Sequence, residues 1–358
     1  MMLKEDDSMI KITDTNVKKY DVIIPPLLLK KDLPLASNVA KFVQKTRKAI
    51  QDIILGKDKR KLIICGPCSI HDTKSALEYA KNLAMLNTKV KNKFLIIMRT
   101  YFEKPRTSVG WKGLLNDPNL DGSYDINKGI RATRNILMDI NKLCVGCATE
   151  FLEPFTPQFI DDMISYAAIG ARTTESPTHR QLASGLSSPV GFKNTISGDI
   201  KAAVNAVESA NHAQAFLGMN NSGNVSNVFT KGNRYAHVIL RGGKTPNFDQ
   251  KTIDETQKML CKKNLCSSLI IDCSHGNSDK DYRNQPAVFR EVISQVKKGN
   301  KKLIGVMIES NLNEGSQKIP NNMHNFNKSG LKYGVSITDS CLGWKETEEM
   351  IIEGYDKL

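Results

Sequence analysis

A chain of 358 residues with 40% hydrophobic and 25% charged side chains has the make-up of a folded soluble protein, large enough for one big domain or two ordinary ones. Its formal charge of +14 raises the prospect of nucleic-acid binding. The lysines, however, are scattered through segments such as "KKDLP", "LGKDKRK" and "QVKKGNKK", and an A+T-rich genome accounts for the abundance of Lys, Asn and Ile, so nucleic acid is set aside and small anionic substrates are the better use of the charge. No stretch reads as an export signal or a membrane span, and no membrane partner is expected: the start "MMLKEDDSMIKITD" is charged, and "VIIPPLLL" is short and split by two prolines. Eight cysteines in a chain of cytoplasmic character argue for free thiols or a metal site rather than a disulfide framework.

In chain order, residues 1–60 precede any strand and read as a helix-bearing extension, with "SNVAKFVQKTRKAIQDIIL" its clearest helix. Short apolar runs follow: "LIICGP", "FLIIMRT", "CVGCATE", "AAIGART", "PVGFKN", "HVILRGG", "SLIIDCSHG" and "LIGVMIES". Most gaps hold amphipathic helical pattern, as in "TKSALEYAKNLAML", "TPQFIDDMISYAA" and "DIKAAVNAVESA". This alternation predicts an α/β fold of the (β/α)8 TIM-barrel class, with an open doubly wound sheet as the competing topology. Between the fifth and sixth strands, at about 212–232, "HAQAFLGMNNSGNVSNVFTKG" predicts an inserted β-hairpin turning at "NNSGN". The expected organisation is a 1–60 extension serving oligomer contacts or regulation, then a catalytic barrel over 61–358. The segment "KIPNNMHNFNKSG" predicts a polar, flexible loop.

The strand ends favour the barrel. Cys68, Arg99, Glu150, Arg172, Lys193, Arg241, His275 and Glu309 stand at or just beyond them, and a closed barrel brings all such ends to one rim. Cys68, His275 and Glu309, with Asp339 of "SITDSC", make a mixed sulfur, nitrogen and oxygen set that suits one divalent Mn, Fe, Co or Zn ion better than Mg or Ca. "CGPC" could instead be a redox pair, or join "CVGC" in a four-thiolate zinc site. Against this, Cys144 and Cys147 lie in an apolar run, where free cysteine is a common core residue. Arg99, Arg172, Lys193 and Arg241 would repel one another on one rim, so a substrate bearing phosphate and carboxylate is expected to supply the missing charge. Lys104, Arg106 and Thr107 of "EKPRTS" form a second anion cluster one loop away, which implies two charged substrates or one long one.

These motifs carry a resemblance. "GPCSIHD", "MRTYFEKPRTSVGWKG", "LNDPNLDGSY", "AIGARTTES", "VGFKN", "ILRGGK", "DCSHGN" and "YGVSITD" together resemble the class I-alpha 3-deoxy-D-arabino-heptulosonate 7-phosphate (DAHP) synthases, from about Lys48 to the C-terminus. The resemblance implies a metal-dependent, carbon–carbon bond-forming transferase that condenses phosphoenolpyruvate with erythrose 4-phosphate. This is the first step of the shikimate pathway to chorismate and the aromatic amino acids. It implies Cys68, His275, Glu309 and Asp339 as metal ligands, and Arg99, Lys104, Arg172, Lys193 and Arg241, with the Ala171 backbone, as phosphoenolpyruvate contacts. Lys104, Pro105, Arg106 and Thr107 of "KPRT" would hold erythrose 4-phosphate. Lys104 is placed to protonate a new alkoxide, and Glu150 with Lys193 to position water. The resemblance also implies feedback inhibition by an aromatic amino acid, with a lean to tyrosine, and assembly as a homodimer or homotetramer.

Three departures from the family pattern are visible: "GFKNTISGD" after Lys193, "TTESP", and the inserted "NNMHNF". None removes an expected ligand. Rival readings are a Schiff-base aldolase with Lys193 as nucleophile, an arabinose 5-phosphate enzyme, which "KPRT" opposes, and a non-enzymatic binding protein on the same fold.

Overall fold

The computed structural model describes residues 12–106, 109–324 and 326–358; Thr107, one of the expected phosphate contacts, lies outside them. Parallel strands close a barrel in the order β1 (Lys61–Gly66), β10 (Leu303–Glu309), β9 (Leu269–Asp272), β8 (His237–Leu240), β5 (Val190–Lys193), β4 (Tyr166–Ile169), β3 (Gly146–Glu150) and β2 (Phe94–Arg99), which pairs again with β1. Each of the eight apolar runs supplies one of these strands, so the closed barrel is the topology and the open sheet is not. The runs are continuous because both faces of every strand are covered. In β1, Leu62 and Ile64 join the interior cluster with Ile97, Tyr166, Ile239, Ile270 and Ile304, while Ile63 and Cys65 pack outward among the helices.

The barrel floor comes from α2 (Ser37–Ile54), whose Ile50, Ile53 and Ile54 belong to that same interior cluster. Ser268 Oγ donates to the Ile54 carbonyl at 2.7 Å and pins the end of the helix there. Aspartate begins several outer helices by accepting a backbone N–H of the first turn. Asp72 does so for α3 (Thr73–Val90), Asp125 for α4 (Ile126–Lys142), Asp199 for α7 (Ile200–Asn211) and Asp249 for α8 (Gln250–Lys262).

The inserted hairpin pairs β6 (Ala215–Met219) with β7 (Val225–Phe229) in antiparallel register, Leu217 opposite Asn227. The short helix α1 (Pro26–Asp32) docks on its tip: Leu27 N–H donates to the Asn221 carbonyl at 2.7 Å. Extension and hairpin therefore touch each other, which their separation in the chain does not reveal.

Four expectations need amendment. "TPQFIDDMISYAA" is not one long helix: α5 spans only Thr156–Ile160, and a 3-10 turn at Asp161–Met163 leads straight into β4. Arg134 binds the Phe159 carbonyl and the Asp162 carboxylate there, ending the helix after little more than a turn. Cys147 is buried as expected, but Cys144 is exposed in a left-handed turn (φ 57°) ahead of β3. The "KIPNNMHNFNKSG" loop is anchored, since Met323 is buried against the core. Finally, lysines far apart in sequence share a face. Lys59, Lys61, Lys91, Lys93 and Lys297 line one groove at the N-terminal end of the barrel, because the strands they precede are neighbours. Among the described residues, no helix is long and apolar enough to cross a membrane.

Candidate active site

At the opposite end, the strand termini open into a cavity of about 510 Å³. Arg99, Lys104, Pro105, Arg106, Glu150, Ala171, Arg172, Lys193, Arg241, His275, Glu309 and Asp339 all line it. Cys68 lies beneath them, its thiol donating to Asp339 Oδ2 at 3.5 Å and accepting from Lys104 Nζ at 3.1 Å.

Donor atoms of Cys68, Glu309 and Asp339 lie within 4.8 Å of one another. His275 stands beside this trio rather than within the same mutual spacing: its Nε2 is 3.7 Å from Glu309 Oε1 and its Nδ1 is 3.0 Å from Asp272 Oδ2. The set straddles the seam where the last barrel strand meets the first, with Cys68 just after β1 and Glu309 ending β10. Burial, reinforced by Glu309, pushes the Cys68 thiol up to about 11 despite Lys104. Asp339 moves the other way: burial would raise its carboxyl, but Lys104 and His275 hold it below the usual carboxylate range.

Arg99 is almost wholly buried. It donates to Glu309 Oε1 at 2.9 Å and to the Pro67 carbonyl at 3.1 Å, while its guanidinium lies 3.5 Å from the centre of the Tyr101 ring. Burial opposes its charge, but Tyr101, Glu309 and Cys68 outweigh that and hold it firmly protonated. Lys193 forms an ion pair of 2.9 Å with Asp272, whose carboxyl stays far below its ordinary range against burial because Lys193 and His275 face it. The four rim cations are thus not all waiting for a substrate's charge, as the sequence suggests. Glu309 and Asp272 neutralise two of them, while Arg172 is exposed and Arg241 half-buried at the cavity wall.

A ladder of buried amides fixes these ends relative to one another. Asn194, following β5, accepts from Arg241 N–H at 2.8 Å and donates to the Gly242 carbonyl at 2.8 Å. Asn247 donates to Asn194 at 3.1 Å, and Asn277 caps both the Leu240 and Asp272 carbonyls. The backbones beyond β8 and β9 touch so closely that a Cβ on Gly242 would lie 2.4 Å from the Gly276 carbonyl carbon. His275 itself adopts φ 59°, a left-handed conformation unusual for a non-glycine residue and held by the Gly276 N–H bond to the Arg241 carbonyl.

Asp272, Tyr101 and Gln285 escape the sequence reading. Asp272 reads as the end of "SLIID" in the strand, although a carboxylate two residues before "SHG" was a usable sign of a counter-charge. Gln285 starts α9 (Gln285–Lys297) and brackets the Glu309 backbone, accepting from its N–H and donating to its carbonyl, both at 2.9 Å. No spacing rule links it to Glu309. The four-thiolate alternative has no support in the geometry: Cys65 turns away to Tyr79 Oη at 3.1 Å, and Cys68 is grouped with the carboxylates of Glu309 and Asp339.

Comparison with known proteins agrees with this geometry. The family model described as "DAHP synthetase I family" matches residues 37–351. The chain is 46% identical, over 97% of its length and 96% of the relative's, to the Tyr-sensitive phospho-2-dehydro-3-deoxyheptonate aldolase of Escherichia coli (strain K12). It is 45% identical, over 98% of its length and 96% of the relative's, to the phenylalanine-inhibited phospho-2-dehydro-3-deoxyheptonate aldolase of Saccharomyces cerevisiae. Among solved structures, the phospho-2-dehydro-3-deoxyheptonate aldolase of Francisella tularensis SCHU S4 superposes with a TM-score of 0.91 at 47% identity, covering 96% of this chain and 98% of that one. On the barrel, the rim and these matches along nearly its whole length, the chain belongs to the DAHP synthetase I family.

Proposed function

We propose that Cys68, His275, Glu309 and Asp339 hold one divalent metal ion, and that the cationic rim beside them carries the two phosphorylated substrates of the DAHP synthase reaction. That reaction condenses phosphoenolpyruvate with D-erythrose 4-phosphate and water to give DAHP and phosphate, the first step toward the aromatic amino acids. The observation that carries the reading is one cavity lined at once by His275, Glu309 and Asp339, with Cys68 against them, and by Arg99, Lys104, Arg172, Lys193 and Arg241. The donors fit such an ion, because a dication compensates two carboxylates and favours the thiolate of Cys68 over its reluctant thiol. A bound ion of the Mn, Fe, Co or Zn kind supplies Lewis acidity toward the aldehyde oxygen.

The chain's own residues do the rest. Arg172, Lys193 and Arg241, with Arg99 and the Ala171 backbone, hold the phosphate and carboxylate of phosphoenolpyruvate. Lys104, Pro105 and Arg106 hold the sugar phosphate, with Thr107 outside the described residues. This fixes C3 of the enol against the aldehyde carbon, which removes much of the entropic part of the barrier. As C3 attacks, Lys104 Nζ gives a proton to the new alkoxide. Glu150 and Lys193 position the water that adds at C2, with the Glu150 carboxylate taking one of its protons; the C2 hydroxyl then loses the other to the departing phosphate as the C–O bond to phosphate breaks and the C2 carbonyl forms.

Lys193 as a Schiff-base nucleophile is the weaker reading, since its ammonium is ion-paired to a buried carboxylate. A chelator is expected to abolish turnover, restored by added divalent metal, while borohydride with substrate leaves it intact. The Cys68→Ala protein is expected to lose bound metal and turnover together. Unchanged metal content in that variant defeats the assignment.

Aromatic feedback inhibition is proposed at a second cavity of about 450 Å³, between α1, α5 and the hairpin. Phe216, Val228 and Leu182 offer apolar walls, and Lys30, Arg47, Asp161 and Asp162 offer charges of both signs, as a zwitterionic aromatic amino acid requires. Tyrosine is the first candidate to test. On the outer hairpin face Leu217 is 79% and Phe229 76% exposed, which favours self-association as a dimer or tetramer. Free thiols throughout suit a reducing cytoplasm.

A further inference from the structure

The N-terminal end of the barrel, opposite the catalytic rim, carries charge that the reaction does not use. Lys59, Lys61, Lys91, Lys93 and Lys297 line a groove of about 700 Å³ there, with Leu358, the last residue, at its side. They meet because β2, β1 and β10 are neighbours in the barrel, so the segments leading into them lie together. Lys298, Lys301 and Lys302 line a further groove of about 520 Å³. The turn from α9 into β10 supplies lysines to both grooves, which makes the positive charge a track rather than a point.

Part of this charge is held in place. Lys61 Nζ donates to the Leu303 carbonyl at 2.8 Å, and Lys93 Nζ donates to the Tyr355 carbonyl at 2.7 Å while standing 4.6 Å from the centre of the Tyr355 ring. Both side chains are half-buried, so an arriving anion has less side-chain freedom to remove. Lys59, Lys91 and Lys297 stand exposed along the same groove. Elsewhere on the surface Lys48, Lys142 and Lys263 each hold a carboxylate. Among the described residues, none of the groove lysines holds an aspartate or glutamate. Asp58, in the wall of the first groove, is bound by Arg60 at 2.6 Å, and Asp254, in the wall of the other, accepts from Gln250 at 2.7 Å.

We propose that this end of the barrel binds a linear polyphosphate, laid along the turn from α9 into β10. The chemistry of the grooves selects that anion. Their free cations are lysines, compact point charges suited to phosphate, whereas the guanidinium fork that best matches a carboxylate, Arg60, is already engaged. Among the described residues no aromatic side chain lines either groove, so nucleobases have nothing to stack on. Two grooves served by one turn suit an extended chain better than a single compact ion. The site is separate from the catalytic cavity, so its occupation tethers the enzyme to the polymer and leaves turnover as it was.

The test titrates full-length, metal-loaded enzyme into a trace of fluorescently labelled long-chain polyphosphate and reads anisotropy. Phosphoenolpyruvate is present throughout to fill the catalytic rim, and the trace label is too dilute to strip the metal. Combined Lys59→Gln, Lys91→Gln and Lys297→Gln substitutions are expected to weaken binding by about tenfold or more with kcat unchanged. Combined Lys74→Gln, Lys201→Gln and Lys231→Gln substitutions make the same change in net charge on exposed side chains of other faces, and are expected to stay within about twofold of wild type. Unlabelled polyphosphate is expected to displace the label at a concentration about tenfold below that of poly-L-glutamate or an RNA duplex of equal charge. No binding by the wild type overturns the proposal. An equal loss in the two triple variants also overturns it, by reducing the binding to net charge. Poly-L-glutamate competing as well as polyphosphate assigns the grooves to an acidic protein surface instead, and RNA competing as well assigns them to nucleic acid.

Discussion

His237 lies wholly inside the barrel with Nε2 2.9 Å from Tyr166 Oη, and burial lowers its imidazole to about 4. A base whose folded value lies below its unfolded one binds fewer protons folded than unfolded. Its contribution is therefore constant above the ordinary value of 6.5 and is lost as pH falls from there toward 4. The loss amounts to roughly 3 kcal/mol at full protonation of the unfolded chain. Urea midpoints at pH 7 and pH 4.5 should differ more for the wild type than for His237→Gln. An equal acid shift in the two proteins removes His237 as the cause. At this scale the sequence is legible where a cavity-lining side chain is the last residue of an apolar run, as with Arg99, Lys193 and Glu309. It is illegible where function depends on what a buried group faces. Asp272 reads as part of a strand until Lys193 and His275 are found against it, and Cys144 reads as core until its backbone turns left-handed.

Among elements, the β4 terminus shows how strictly the rim is packed. A Cβ on Gly170 would lie 2.2 Å from Glu150 Oε1, and no backbone freedom is at issue there, only space. Gly170→Ala should displace the Glu150 carboxylate, lowering kcat by about tenfold or more while costing about 1–3 kcal/mol of stability. A melting curve and steady-state kinetics decide it, and unchanged kcat means Glu150 has no role in turnover. The barrel strands were readable because runs covered on both faces stay apolar throughout, and α2, α3 and α7 because their apolar stripes are long. The α5 segment was not readable: Arg134 and Arg47 arrive from distant helices to hold its carbonyls and carboxylates, and no local pattern announces them.

For the molecule as a whole, charge is divided between two ends. Lysines crowd the groove at the barrel floor, while the rim carries the cations that face the cavity. Two multiply charged anionic substrates approaching a protein of formal charge +14 are steered by its field. Accordingly, kcat/KM for phosphoenolpyruvate should fall several-fold between about 0.05 and 0.5 M salt, with kcat changing less. An insensitive kcat/KM shows that the rim charges act only on contact.

The join between β1 and β10 has a further consequence for how this enzyme comes into being. Cys68 emerges from the ribosome early, but Glu309 and Asp339 arrive only when almost the whole polypeptide has been made, and nothing short of that can assemble the cluster. On the metal assignment proposed above, chains that end short of Asp339 lack part of the donor set, so uptake of the ion would certify that synthesis and ring closure are both complete.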